Sequence, residues 1–69
     1  MFIEEKLVKV AENDGCSWRL TLHEVGPIYR VSEWSVSSDE IDNYYYADGV
    51  EAMQKFMELY KYANEEGYA

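Results

Sequence analysis

Residues Cys16 to His23 alternate without a break. Cys16, Trp18, Leu20 and Leu22 fall on one side, and Ser17, Arg19, Thr21 and His23 on the other. A strict two-residue period describes a strand with one buried face and one wet face. The chain must therefore build a sheet that lies against something apolar. Upstream, Lys6 to about Glu12 forms a second run, with Val8 and Val10 on one side. Between the runs, Glu12-Asn13-Asp14-Gly15 has turn chemistry: Asn13 and Asp14 suit a type I turn, and Gly15 suits a left-handed bulge position. A three-residue loop would pair Val10 with Trp18 and Val8 with Leu20. That register is the expectation for the first hairpin. Cys16 is expected as a buried structural thiol and His23 as a solvated residue of the polar face.

Val25-Gly26-Pro27 marks a second turn, with Pro27 at a strand entry because it has no N–H to donate. A third strand follows over about Ile28 to Ser37. Its register depends on loop parity. A three-residue loop sets Trp34 opposite Trp18 and Val36 opposite Cys16, whereas an even loop turns Tyr29 and Val31 inward. The cross-strand tryptophan pair favours the first. Ser38 to Asp42 is polar and acidic and is expected as a loop. Asn43 to Ala47 is expected as a short fourth strand.

Asp48 then opens a helix, as N-cap, with Glu51 at N3 in an aspartate form of the capping box. Both carboxylates also favour the positive end of the helix dipole. At 100° per residue, Val50, Ala52, Met53, Phe56, Met57, Leu59, Tyr60 and Ala63 fill about half the circumference. Glu51–Lys55 and Lys61–Glu65 are spaced as i,i+4 pairs, and Gly67 is the stop. The expected fold is α+β: an antiparallel β-meander of three to four strands with one C-terminal amphipathic helix packed on one face, β-β-β-(β)-α. Residues 1–69 are expected to form a single small domain.

A 69-residue chain is close to the lower limit for folding unaided. One cysteine allows no internal disulfide and fits a reducing compartment. Eleven aromatics, Phe2 among them, are then expected to supply much of the core area. The start, Met1-Phe2-Ile3-Glu4-Glu5-Lys6, lacks the basic and apolar blocks of a signal peptide, no segment is apolar enough to span a bilayer, and a cytoplasmic location is expected.

Six Lys and Arg against 14 Asp and Glu give a net charge of −8. That balance disfavours direct binding to nucleic acid or to an anionic membrane, both of which need cations. It favours a basic protein partner. From Arg30 to Lys55 there are six acids and no Lys or Arg. Within that interval Tyr44-Tyr45-Tyr46 adds rings of the kind enriched at binding hot spots.

Catalytic chemistry finds little to use. Cys16 and His23 are seven residues apart on one predicted strand, on opposite faces and more than roughly 20 Å apart. They cannot form a nucleophile–base dyad. Two Cys/His residues fall short of a structural zinc set. Counted from Asp39 or Asp42, the acids miss the glycine and glutamate positions of an EF-hand loop. No glycine-rich phosphate loop occurs, and a domain this small has little room for a substrate cleft. No catalytic residue, cofactor or metal ligand is therefore expected, and the chain is read as non-enzymatic.

Function is expected in protein–protein contact. The candidate residues are Glu33, Asp39, Glu40, Asp42, Tyr44, Tyr46, Asp48 and Glu51: an acidic loop and its tyrosines, continuing onto the helix start. An array of acids on a small rigid domain resembles, at the level of charge, the small acidic inhibitors encoded by phages and mobile elements, such as DNA mimics and anti-CRISPR proteins. That resemblance implies an inhibitor that occupies a nucleic-acid site on a basic protein. Trp34, an aromatic strand and then Glu51-Ala52-Met53-Gln54-Lys55-Phe56 loosely resemble the layout of the WGR domain, a family that implies nucleic-acid binding. Here Ser35-Val36 stands in place of the Gly-Arg of that motif, and the charge is acidic. The alternative expectation is a homodimer formed through the free sheet face or an edge strand.

Overall fold

A computed structural model describes residues 3–37 and 39–68 of the chain. Phe2 and Ser38, each given a place in the sequence reading, lie outside the described residues. Four strands form one antiparallel sheet in chain order: β1 (Glu5–Asn13), β2 (Trp18–Val25), β3 (Ile28–Ser35) and β4 (Glu40–Tyr46). A single helix, α1 (Gly49–Glu65), follows. The expected α+β meander with a C-terminal helix on one face is the observed architecture.

The helix packs on β2 and β3 and, to a lesser extent, on β4. Between them lies a core of Trp18, Leu20, Leu22, Val31, Ala52, Phe56 and Ala63. Phe56, Leu20, Leu22 and Val31 are fully enclosed. Each such side chain contributes about 1.5–3 kcal/mol of apolar burial. The buried helix stripe is narrower than the apolar arc of the sequence: Met57, Tyr60 and Val50 are exposed. One helix is about 10 Å across, whereas four strands span roughly 19 Å, so one helix cannot cover the sheet.

Both helix ends fall where expected, but the Asp48 cap bonds Val50 at N2 and not Glu51 at N3, as the expected capping box would. The Asp48 carboxylate accepts the Val50 N–H at 2.7 Å. At the other end Gly67 sits at φ +86°. The Gly67 N–H reaches the Asn64 carbonyl at 3.3 Å and the Tyr68 N–H reaches Ala63 at 2.8 Å, the two bonds of a Schellman motif. The Lys55 ammonium lies 3.8 Å from Glu58 and 4.6 Å over the Tyr44 ring. The ion pair within the helix is thus i,i+3, and Lys55 turns toward the sheet instead of toward Glu51.

The first hairpin forms in a different register. Asn13 pairs with Trp18 and Ala11 with Leu20. Asn13 caps a 3-10 turn over Asp14–Cys16 by accepting the Gly15 N–H at 3.1 Å. Ser17, not Gly15, takes the left-handed conformation, at φ 49°. The loop is thereby lengthened and the pairing moves by three residues. An odd shift exchanges faces, so Val10 pairs with Thr21 on the side away from the helix. A bulge between Leu7 and Lys9 breaks the ladder farther up. Cys16 is drawn into the turn, exposed, its thiol 3.5 Å from the Gly67 carbonyl oxygen.

The third strand is corrected for the same reason. Val25 pairs directly with Ile28, leaving the two-residue loop Gly26-Pro27 with Gly26 at φ +58°. A left-handed first residue followed by proline is the φ signature of a type II′ turn, whose twist matches a hairpin. This even loop turns Tyr29 and Val31 toward the helix. Trp34 is opposite Arg19 on the far face, and the expected Trp18–Trp34 pair is not formed.

Candidate functional site

The eight residues named from the sequence do not form one surface. β4 begins at Glu40, so Glu40 and Asp42 belong to a strand and not to a loop. Pairing sets Asp42 opposite Glu33 and Glu40 opposite Ser35, all on the helix side of the sheet. Asp39 occupies the turn before β4 at φ 53°, a conformation aspartate tolerates. These four acids share one end of the molecule. Asp48 and Glu51 begin the helix at the opposite end of β4, roughly 20 Å along an extended strand from Asp42.

Half of the eight have structural tasks. Glu33 accepts the Trp18 indole N–H at 2.9 Å. Tyr44 and Tyr46 pack beside the core, and Asp48 is the cap. Of the three tyrosines, Tyr45 is the free one, 61% exposed and on the other face of the sheet. Glu40, Asp42 and Glu51 are exposed.

That other face is covered by no described element. Pairing arranges it in rows. Glu12, Arg19, Trp34 and Ile41 form one; Val10, Thr21, Ser32 and Asn43 the next; Leu7, His23, Arg30 and Tyr45 the third. Leu7, Val10, Ile41 and Tyr45 are each about half exposed or more, with Ile41 at 60%. Trp34 is half-buried. A shallow groove of about 600 Å³ runs between Arg19, Trp34 and Ile41 at one end and His23 and Arg30 at the other.

The polar groups of the face are held in place. Arg19 meets Glu12 at 3.2 Å. Arg30 reaches across β2 to Glu5 at 2.6 Å. The Ser32 hydroxyl donates to Asn43 Oδ1 at 2.7 Å. His23 lies on this face as its alternation predicts. Its Nδ1, however, is buried, with no hydrogen-bond partner among the described residues. The face thus combines two internal ion pairs with exposed Leu7, Val10, Ile41 and Tyr45.

A second groove, of about 460 Å³, separates β1 from the helix where α1 stops short of the edge. Lys9, Ala11, Met57 and Tyr60 line it. Among the described residues no group of three or more His, Cys, Asp or Glu is placed to hold a metal ion. No described helix is long and apolar enough to cross a membrane. No protein-family model, curated protein or solved structure matches the chain.

The sequence signal for the uncovered face was present. Arg30-Ser32-Trp34 and Ile41-Asn43-Tyr45 alternate against Tyr29-Val31-Glu33 and Asp42-Tyr44-Tyr46. Loop parity decides which set faces out, and an even second loop would have exposed Trp34 and Tyr45.

Proposed function

We propose that this chain is a non-enzymatic protein-binding module and that it binds through the uncovered face of its sheet. The supporting observation is the exposure of Ile41 and Tyr45 beside Trp34 at one margin of the face and of Leu7 and Val10 at the other, with the pre-paired Arg19 and Arg30 between them. Large apolar side chains left exposed on one uncovered face of a small acidic chain suit a contact site. Aromatic and arginine side chains are the residue types that carry interface energy. Cys16 lies beyond one end of β2 and His23 toward the other, so the thiol and the imidazole do not meet. A lone cysteine suits a reducing compartment such as the cytoplasm. The test is a photo-crosslinking residue at position 45 and another at Met57 on the helix. Adducts are expected from position 45; adducts from position 57 alone would refute the assignment of the face.

A second reading concerns the acidic end. Glu33 and Asp42 stand directly opposite each other, an arrangement that costs stability. Glu40 and Asp39 extend the same field toward a basic protein, in the manner of a nucleic-acid mimic. Replacing Asp39, Glu40 and Asp42 by their amides should then weaken capture of a basic partner at low salt. Unchanged capture would remove this reading and leave the first intact.

A further inference from the structure

We infer that the occupant of the uncovered face is a second copy of this chain, so that two sheets pack face to face with the helices outside. The inference rests on the docking role assigned above and adds the identity of the partner.

Charge separates a second copy from other occupants. The face bears two arginines, Arg19 and Arg30, and two acids, Glu5 and Glu12, joined in pairs. The rest of the chain keeps four lysines and twelve acids, which carry the whole −8. A basic partner would be drawn to the other surfaces, and an acidic one repelled by the molecule as a whole. A face whose charges cancel in internal pairs carries no net charge, so a second copy meets it without a like-charge penalty, as a two-fold interface between identical faces requires. It is also the surface on which two molecules of charge −8 approach with least repulsion.

Area and stability agree. Four strands about 4.8 Å apart and some eight residues long present roughly 500 Å² in projection. Two copies therefore bury on the order of 1,000 Å², the lower bound for a specific interface. The molecule is only 16 Å thick along its shortest axis. A core of this size is marginal unaided, and small domains often rely on association.

Register gives the docking geometry. Packed sheets lie about 10 Å apart with strands nearly aligned. A two-fold axis along the strands, between β2 and β3, stacks each row on its own reverse. Arg19 then faces Trp34 of the partner subunit, a cation–π pairing, and Leu7 faces Tyr45 of the partner subunit. Pairing through the β1 edge is less suited, because the bulge between Leu7 and Lys9 interrupts its ladder.

Sedimentation equilibrium of the full chain tests this. The parent should sediment at twice the chain mass, with no loss of association as salt rises, because screening reduces the repulsion. Ile41→Glu and Tyr45→Glu replace exposed side chains outside the core, so the monomer should keep its circular dichroism. Each should weaken the dimer roughly 30-fold or more. Val50→Glu, on the exposed helix surface, should sediment as the parent does. A parent that stays monomeric at the concentrations used for NMR overturns the inference. If position 45 still crosslinks to another protein, the docking role survives. A dimer that persists in both glutamate variants overturns the inference and removes this face as its interface.

Discussion

The Trp18 indole N–H donates to the Glu33 carboxylate at 2.9 Å, a diagonal contact between β2 and β3. Trp18 is 3% exposed, so its N–H has little access to water if Glu33 is removed. An acid that the sequence offers to a partner is thus also part of the fold. Glu33→Gln retains an acceptor and should cost less than about 1 kcal/mol. Glu33→Leu leaves the indole unsatisfied and should cost about 1–3 kcal/mol. Urea unfolding followed by tryptophan fluorescence measures both. Equal costs for the two variants would show that the hydrogen bond contributes nothing.

Asp42 faces Glu33 across β3 and β4 with no opposite charge in its own row. Asp42→Asn should stabilise the chain by a few tenths of a kcal/mol, up to about 1. The gain should shrink as salt rises, because these carboxylates are near water. Thermal unfolding at low and high ionic strength decides it. A loss of stability on substitution would mean that Asp42 has a partner of its own.

The helix N-terminus depends on one side chain. Asp48→Ala removes the acceptor for Val50 N–H and should cost about 1 kcal/mol, whereas Asp48→Ser should stay within a few tenths of the parent. Chemical denaturation of the two variants side by side tests the cap, since both remove the same charge.

Phe56 is the central knob of the helix, fully buried against the sheet. Phe56→Ala should cost about 3–5 kcal/mol, which is comparable to the total stability expected of so small a domain. The variant should be largely unfolded by circular dichroism, while Phe56→Leu should retain the helix signal. A folded Phe56→Ala chain would mean that association supplies more stability than this core does.

Gly67 holds the other helix end at φ +86°. Gly67→Ala meets no neighbouring atom, so its cost is conformational, about 1–2 kcal/mol. Gly67→Asn should recover part of it. Amide exchange at Tyr68, whose N–H closes the Schellman motif on Ala63, should rise in the alanine variant.

Local chemistry was legible in the residues alone. The alternation from Trp18 to Leu22 made a half-buried strand whatever surrounded it. Asp48 and Gly67 bounded the helix, because capping is satisfied within a few residues of chain. Together these determined the order of elements and the α+β class. The tertiary structure decided which face each residue occupies. Facing follows the parity of the hairpin loops. Asn13 with Ser17, and Gly26 with Pro27, changed that parity by mechanisms that the helix-facing pattern alone did not choose between. Odd shifts moved Val10 and Trp34 to the uncovered side and drew Glu33 toward the core, and the pairing of β4 with β3 set Tyr45 outward and Tyr44 and Tyr46 inward. The acidic run was continuous in sequence. An extended β4 carried its two halves to opposite ends of the molecule, since a strand advances about 3.3 Å per residue and does not fold its charges together.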